Sequence, residues 1–472
     1  MASDTQLTPY GEFSVSLIGS RLADLCLADG VQTGPFGSQL HQEDYVEDGT
    51  PIITVEHLGE NRILHQNLPR VSEEDRLRLA KYSLRTGDIV FSRVGSVDRR
   101  AIVREAENGW LFSGRCLRVR PDPEKLDPLW LSYFFGLPTF KQYIRGIAVG
   151  ATMPSINTKI LSDVSIYFPG LSQQRYIATL LASLDDRIEL NRRINQTLEA
   201  MAQALFKSWF VDFDPVKAKI AARLEGRDPL RAAMSTISGK ADAELDALPP
   251  EQYEQLAATA VLFPDEMEKS ELGEIPRGWG FKSVADIAQF TSGKVDVSLL
   301  SEDLYVSTEN MLENRAGVTR ATSLPSVASV PSFKTGHILI SNIRPYFKKI
   351  WMARFDGGRS PDVLAFEPTD PQRAEFLYNL LYQDAFFEFM TRTAKGAKMP
   401  RGDKDAIMGW RFPCPNEPLM VVFSEKVRPH YAHIEGLVSQ SKSLTELRDT
   451  LLPKLLSGEL SVETLAEQAG IA

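Results

Sequence analysis

The chain has 472 residues, 43% of them hydrophobic and 24% charged, with 53 Lys and Arg against 62 Asp and Glu. That length exceeds one hydrophobic core, so two or three domains are expected, and the composition excludes a disordered, collagen-like or membrane-spanning chain. A net charge of −9 counts, as a sum, against a nucleic-acid partner, because phosphate binding needs a basic footprint.

In chain order, the opening MASDTQLTPYGEF has no basic segment ahead of an apolar stretch and is expected not to be a secretory signal. No apolar run approaches the roughly 20 residues of a membrane helix. Cys26, Cys116 and Cys414 lie far apart without a CxxC spacing, which predicts reduced, buried thiols in a cytoplasmic protein. Thr86–Arg93 (TGDIVFSR) reads as a Gly-led turn into a strand. It returns as Thr335–Asn342 (TGHILISN), and Ala148–Ser155 (AVGATMPS) returns as Ala394–Arg401 (AKGAKMPR). Pro169 and Pro415 share the second spacing, so the chain repeats itself at about 246–249 residues. A period that long denotes a duplicated domain-plus-helix unit rather than a solenoid.

Each repeat ends in a long helical pattern. In the first, Ile177, Leu181, Leu184, Ile188, Asn191, Asn195, Leu198, Ala202 and Leu205 follow alternating steps of four and three. In the second, Val427, His430, Ile434, Leu437, Ser441, Leu444, Arg448, Leu451 and Leu455 do the same. Such seams predict a coiled coil, each helix of about 35 residues being roughly 50 Å long. Two matched seams in one chain are most simply satisfied by each other. Ser172 and Ser424 are the expected N-caps, with regular helix only after Pro429, a kink at Pro453, and the first helix ending at Asp214-Pro215. The expected fold class is therefore α+β: two mixed α/β domains separated by two long helices that pair as an antiparallel coiled coil. The expected divisions are 1–170, 171–213, 214–270, 271–422, 423–460 and 461–472.

Charge follows the same divisions. Residues 212–271 hold 13 acids and 7 bases, and the last fifteen residues hold Glu459, Glu463 and Glu467 with no base. These two segments carry the whole −9. The neutral remainder contains basic stretches at Arg93–Arg120, Arg344–Arg359 and Arg392–Arg411. Their side chains suit DNA contact, because Arg and Asn pair with base edges while Lys and Ser hold phosphates. The candidates are Ser92, Arg93, Arg99, Arg100, Arg115 and Thr152 in the first half. In the second half they are Ser341, Asn342, Arg344, Tyr346, Lys348, Lys349, Lys395, Lys398, Arg401 and Lys404.

Catalytic motifs are missing. There is no GxxxxGK[ST] loop, no GxSxG elbow and no [DNS]PP[YFW] tetrapeptide, since Asp214-Pro215 continues as Val216-Lys217. The acids of Pro121–Lys125 crowd into a proline-rich loop, and Pro361-Asp362 with Glu367 lacks a following lysine. His430 and His433 share a helix face without further ligands nearby. No metal site and no catalysis by this chain alone are expected.

Several longer segments resemble the DNA specificity subunit of Type I restriction-modification enzymes. Gly34–Leu40 (GPFGSQL) and Gly49–Leu58 (GTPIITVEHL) resemble the start of that family's recognition domains, and Ser172–Pro215 its central helical region. Ser307–Leu312, Ser341–Ala353, Ser360–Pro368 and Ala394–Lys404 resemble one common second recognition domain, and Leu444–Leu460 the C-terminal helical region. The resemblance implies a non-catalytic subunit whose two recognition domains each read half of a bipartite double-stranded DNA target. It also implies two methyltransferase subunits docked on the helices, and motor-nuclease subunits for restriction. S-adenosylmethionine, ATP and magnesium would belong to those partners. The other readings of the sequence are a nuclease or methyltransferase with an unrecognised site, and a scaffold that binds protein only.

Overall fold

A computed structural model describes residues 4–35, 39–271 and 273–461. The middle of Gly34–Leu40 and nearly all of the acidic tail lie outside the described residues. The chain divides into two units, one of Met1–Leu190 with Gln440–Ala472 and one of Asn191–Ser439.

The first unit is built on a four-stranded antiparallel sheet in the order Cys26–Thr33, Cys116–Pro121, Ile89–Ser92, Arg100–Ile102. Ile89–Ser92 is buried at all four positions, as an apolar run between two paired strands must be. A second sheet orders Leu111–Phe112, Thr50–Ile53, Arg70–Val71 and Tyr45–Val46, its first pair parallel. An N-terminal hairpin pairs Thr5–Thr8 with Gly11–Ser14, and Ser165–Phe168 pairs with Ile18–Arg21. The helices are α1 (Glu73–Arg78), α2 (Pro128–Phe134), α3 (Pro138–Ile147), α4 (Thr158–Ser162) and the start of α5 (Leu171–Phe210). Asp127 caps α2 by accepting from the Trp130 N–H, and Pro128 fits the first turn, where no donor is needed.

The second unit repeats this plan. Its central sheet runs Ala288–Phe290, Val363–Pro368, Ile338–Ser341, Ile350–Met352, again antiparallel throughout. Its hairpin pairs Met267–Ser270 with Gly273–Pro276, and Arg411–Cys414 pairs with Gly280–Ser283. Ahead of these stand α6 (Asp214–Leu224), α7 (Pro229–Ser238), α8 (Asp242–Leu245) and α9 (Pro250–Val261). After the sheet come α10 (Ala374–Tyr382), α11 (Asp384–Thr393), α12 (Lys404–Met408) and the start of α13 (Glu417–Leu456). The duplication inferred from sequence is a duplication of fold.

The helices α5 and α13 are each 40 residues long, about 60 Å at 1.5 Å per residue. In the first unit the start of α5 meets the end of α13: Ile177, Ala178 and Leu181 share a core with Leu452, Leu455 and Leu456. In the second, Phe206, Trp209 and Phe210 pack their rings on Phe423. The order is antiparallel in both. Of the seam, Leu181 and Asn191 are buried, and Leu184, Ile188, Asn195, Leu198 and Leu205 are half-buried. Ile434, Leu437, Leu444 and Leu451 are half-buried as well. The fold is α+β with an antiparallel coiled coil.

Several local expectations are corrected. α13 begins at Glu417, where the Asn416 side chain caps the Leu419 N–H. Ser424 lies inside it and accepts from the Phe376 N–H instead. Pro429 and Pro453 sit within the helix, whose hydrophobic side is held by the core. α5 already includes Ser172, and Asp214-Pro215 opens α6 rather than closing α5. Of the helical and loose forms open to the acidic insertion, the structure has the helical one: Val216, Ala233, Met234, Ile237, Leu245, Leu256 and Ala260 are buried in the core of the second unit. Its charges pair internally, Arg231 with Asp242 and Asp246, and Lys219 with Asp265. Of the cysteines, Cys116 and Cys414 are buried and Cys26 half-buried; burial pushes their thiols up to about 12, 11 and 12.

Candidate nucleic-acid interface

In each unit the inner strand of the central sheet ends in a basic loop, and a second loop folds over it. In the first unit the Arg93 N–H donates to the Arg115 carbonyl (2.8 Å), and the Arg93 carbonyl accepts from Ile156 (2.9 Å). The Gly95 N–H donates to the Pro154 carbonyl (2.9 Å). In the second unit Asn342 donates to Asp362 (2.8 Å), accepts from Gly402 (3.1 Å), and Arg344 donates to Pro400 (2.8 Å). The overlying loop is closed alike in both, by a bridge of Val149 with Ser155 and of Lys395 with Arg401. Three chain segments are thus stitched by the same backbone bonds twice over. Gly150 and Gly396, at φ +111° and +102°, turn the two loops where a side chain would be strained.

This junction sorts the sixteen DNA-contact candidates. Four are buried and structural. Arg100 is 2% exposed and gives its guanidinium to the Ser132 carbonyl (2.9 Å) and Glu60 (2.5 Å). Ser92 bonds the Ser96 carbonyl and Ser341 that of Ile343, while Asn342 sits at the centre of the second junction with its side-chain oxygen unbonded. These four are unavailable to a ligand. Two of the half-buried candidates brace loops through backbone carbonyls, Arg99 on Leu58 and Arg93 on Gly114.

Others are tied to acids. Lys348 binds Asp384 at 2.7 Å, and together with Arg315 it holds that carboxyl below the usual carboxylate range. Lys395 pairs with Asp403, and Arg401 with Asp362 at 3.1 Å. Lys349 donates to the Thr308 carbonyl at 2.9 Å. Arg115, Arg344, Lys398 and Lys404 are exposed and have no carboxylate partner among the described residues, and Thr152 and Tyr346 are exposed beside them. Arg344 carries a further mark: its backbone is left-handed, φ +52° and ψ +65°. A non-glycine residue in that region is strained by roughly 1–2 kcal/mol. The basic stretches are thus arranged as loops around two junctions rather than as continuous basic faces.

Sequence reasoning missed Gly95, Val149, Met153, Ser155 and Met399, which the junctions bring beside the candidates, and set Asp362 aside. The signal that could have found them was the repeat itself, since GATMP and GAKMP carry the overlying loop. Among the described residues, no three His, Cys, Asp or Glu side chains converge as metal ligands. No described helix is long and apolar enough to cross a membrane.

Residues 20–200 match the family described as the Type I restriction modification DNA specificity domain. The Type I restriction enzyme HindI specificity subunit of Haemophilus influenzae is 31% identical over 424 residues, covering 85% of this chain and 92% of its own. The MjaIX specificity subunit of Methanocaldococcus jannaschii is 26% identical over 355 residues, 71% of this chain and 70% of that one. The crystal structure of a Type I system S subunit from M. genitalium shares the fold, with a TM-score of 0.54 at 17% identity over 93% of this chain and 96% of that one. With its duplicated domains, stitched basic loops and paired helices, the chain belongs to the Type I restriction-modification specificity subunits, recognition components that are not themselves catalytic.

Proposed function

We propose that this chain reads a bipartite, asymmetric double-stranded DNA target, each unit taking one half through its stitched loops. The observation that carries this reading is the repetition: the same three-segment junction stands twice in one chain, with exposed Arg115 at the first and exposed Arg344 and Lys398 at the second. Residues 1–170 and 271–422 are the two recognition domains in this reading. The helical regions 171–213 and 423–460 set the spacing and dock two methyltransferase subunits, and motor-nuclease subunits join for restriction. Residues 214–270 and 461–472 are an acidic insertion and tail. Helices of about 60 Å exceed the ~34 Å of one DNA turn, enough to hold two readers on separate parts of a site. S-adenosylmethionine, ATP and magnesium act on the partner subunits, in the cytoplasm. Genomic adenine-methylation mapping with and without this gene tests the proposal. A bipartite methylated motif disappears on deletion; an unchanged methylome rejects it.

A further inference from the structure

The two junctions correspond position by position in their backbone bonds, which permits a comparison that neither allows alone. Arg93 corresponds to Asn342, Gly95 to Arg344, Arg115 to Asp362 and Ser155 to Arg401, because each pair makes the same backbone hydrogen bonds or bridge. Along the overlying loop, Val149 corresponds to Lys395 and Thr152 to Lys398. Between them Gly150, Ala151, Met153 and Pro154 recur unchanged as Gly396, Ala397, Met399 and Pro400. So one backbone device carries two sets of positions, one constant and one varied.

Setting aside the centre, where Asn342 is 6% exposed, five varied positions project from each junction. In the first unit they hold Gly95, Arg115, Val149, Thr152 and Ser155; in the second they hold Arg344, Asp362, Lys395, Lys398 and Arg401. A reader of two different half-sites must differ between its halves where it meets base edges. Resting on the function proposed above, we propose that these five positions are the specificity-determining set of each unit, and that the constant Met-Pro tip makes a contact common to both half-sites.

Two independent observations support the assignment. The first is strain. Gly95 has φ +82°, the region glycine tolerates, and the second unit places Arg344 in the same left-handed region at the same position. Holding an arginine where glycine is favoured is a cost without a folding benefit, the pattern expected of a functional residue. The second is exposure. Met153 and Met399 are 60% and 51% exposed at equivalent places on the two overlying loops, apolar tips suited to stacking on a base step or a thymine methyl. Asp362 also fits a reading role: it aligns Arg401 at 3.1 Å in the free protein and is itself an acceptor for a cytosine amino group.

The test grafts the first set onto the second unit: Arg344→Gly, Asp362→Arg, Lys395→Val, Lys398→Thr and Arg401→Ser. The variant is expressed with its methyltransferase subunits and the methylated motif is mapped by long-read sequencing. The expected result is a bipartite motif whose one half is unchanged while the other changes or becomes degenerate, with cognate affinity falling about tenfold to a hundredfold per lost base contact. Thermal melting reports that the variant is folded, since all five side chains lie at the surface or half-buried. Met399→Ala on the wild-type background weakens binding to every site without changing the motif. A folded graft that keeps the wild-type motif in both halves overturns the assignment. A wild-type complex that methylates no bipartite motif overturns the underlying function instead.

Discussion

Arg344 and Glu199 show how a single residue can be set against the stability of its own fold. Arg344→Gly relieves a left-handed arginine, so the thermal midpoint should not fall, while cognate DNA affinity should drop by about 1–3 kcal/mol if the guanidinium meets a base. Calorimetry and a salt-matched binding titration separate the two effects. Glu199 on α5 accepts a hydrogen bond from the buried Tyr378 hydroxyl (3.0 Å), and burial pushes its carboxyl above the usual range. A raised carboxyl contributes stability below its unfolded pKa and loses it as pH rises through the folded value. Toward neutral pH the wild type therefore loses that contribution. Glu199→Gln, which can still accept from Tyr378, should raise the melting temperature at pH 7.5, with a gain that shrinks as pH falls to about 4. Neither effect was legible in sequence. Arg344 stood out there as a base inside SNIRPYFKK, but its strain belongs to the backbone; Arg100, equally basic in sequence, is swallowed by contacts from Ser132 and Glu60 that lie far along the chain.

Among the elements, the helix pair was the most legible part of the molecule, because a 3-4 spacing depends on neighbours within one helix and needs no knowledge of the fold. The polar seam residues were legible as anomalies but not in their solutions. Arg448 is answered by Asp185 on α5 at 2.7 Å, and Tyr133 on α2 donates to the same carboxylate at 2.6 Å. Asp185→Ala leaves the half-buried Arg448 guanidinium with Asp449 as its remaining partner (2.8 Å) and should cost about 2 kcal/mol in denaturant unfolding. The combination Asp185→Leu, Arg448→Met and Tyr133→Phe removes Asp185 together with both of its partners, leaves only the exposed Asp449, and should recover most of that loss, leaving the wild-type network as a register device. Phe423, fully buried among Phe206, Trp209 and Phe210, should cost about 3–5 kcal/mol as Phe423→Ala. The insertion shows the opposite limit. Its Ala, Asp and Glu content left a helical or a loose segment open, and Val216, Met234 and Ile237 reach the core, because apolar positions too sparse for a strong periodic signal are still enough for four short helices packed together.

Across the whole molecule, the repeat legible in TGDIVFSR and TGHILISN is carried by two units that differ in how the chain builds them. The second, Asn191–Ser439, is continuous; the first needs Gln440 onward as well as the N-terminal residues. Leu452, Leu455 and Leu456 are buried among Phe134, Phe140 and Leu181, and the Ser14 N–H donates to the Ser457 carbonyl at 2.8 Å. A chain ending at Ser439 should lose protection in the first unit and retain it in the second, with limited proteolysis followed by mass spectrometry yielding a fragment near residues 191–439. The same discontinuity sets an order of events on the ribosome. Domains usually mature in the order they are made, but here the domain begun first must wait about 250 residues for its last helix, roughly 12–50 s at 5–20 residues per second. During that interval its apolar surface from Leu126 to Leu181 has no closing partner, whereas the second unit has all of its own chain as soon as Ser439 is made. The first unit is thus begun first, finished last, and the one more in need of a chaperone or an early binding partner.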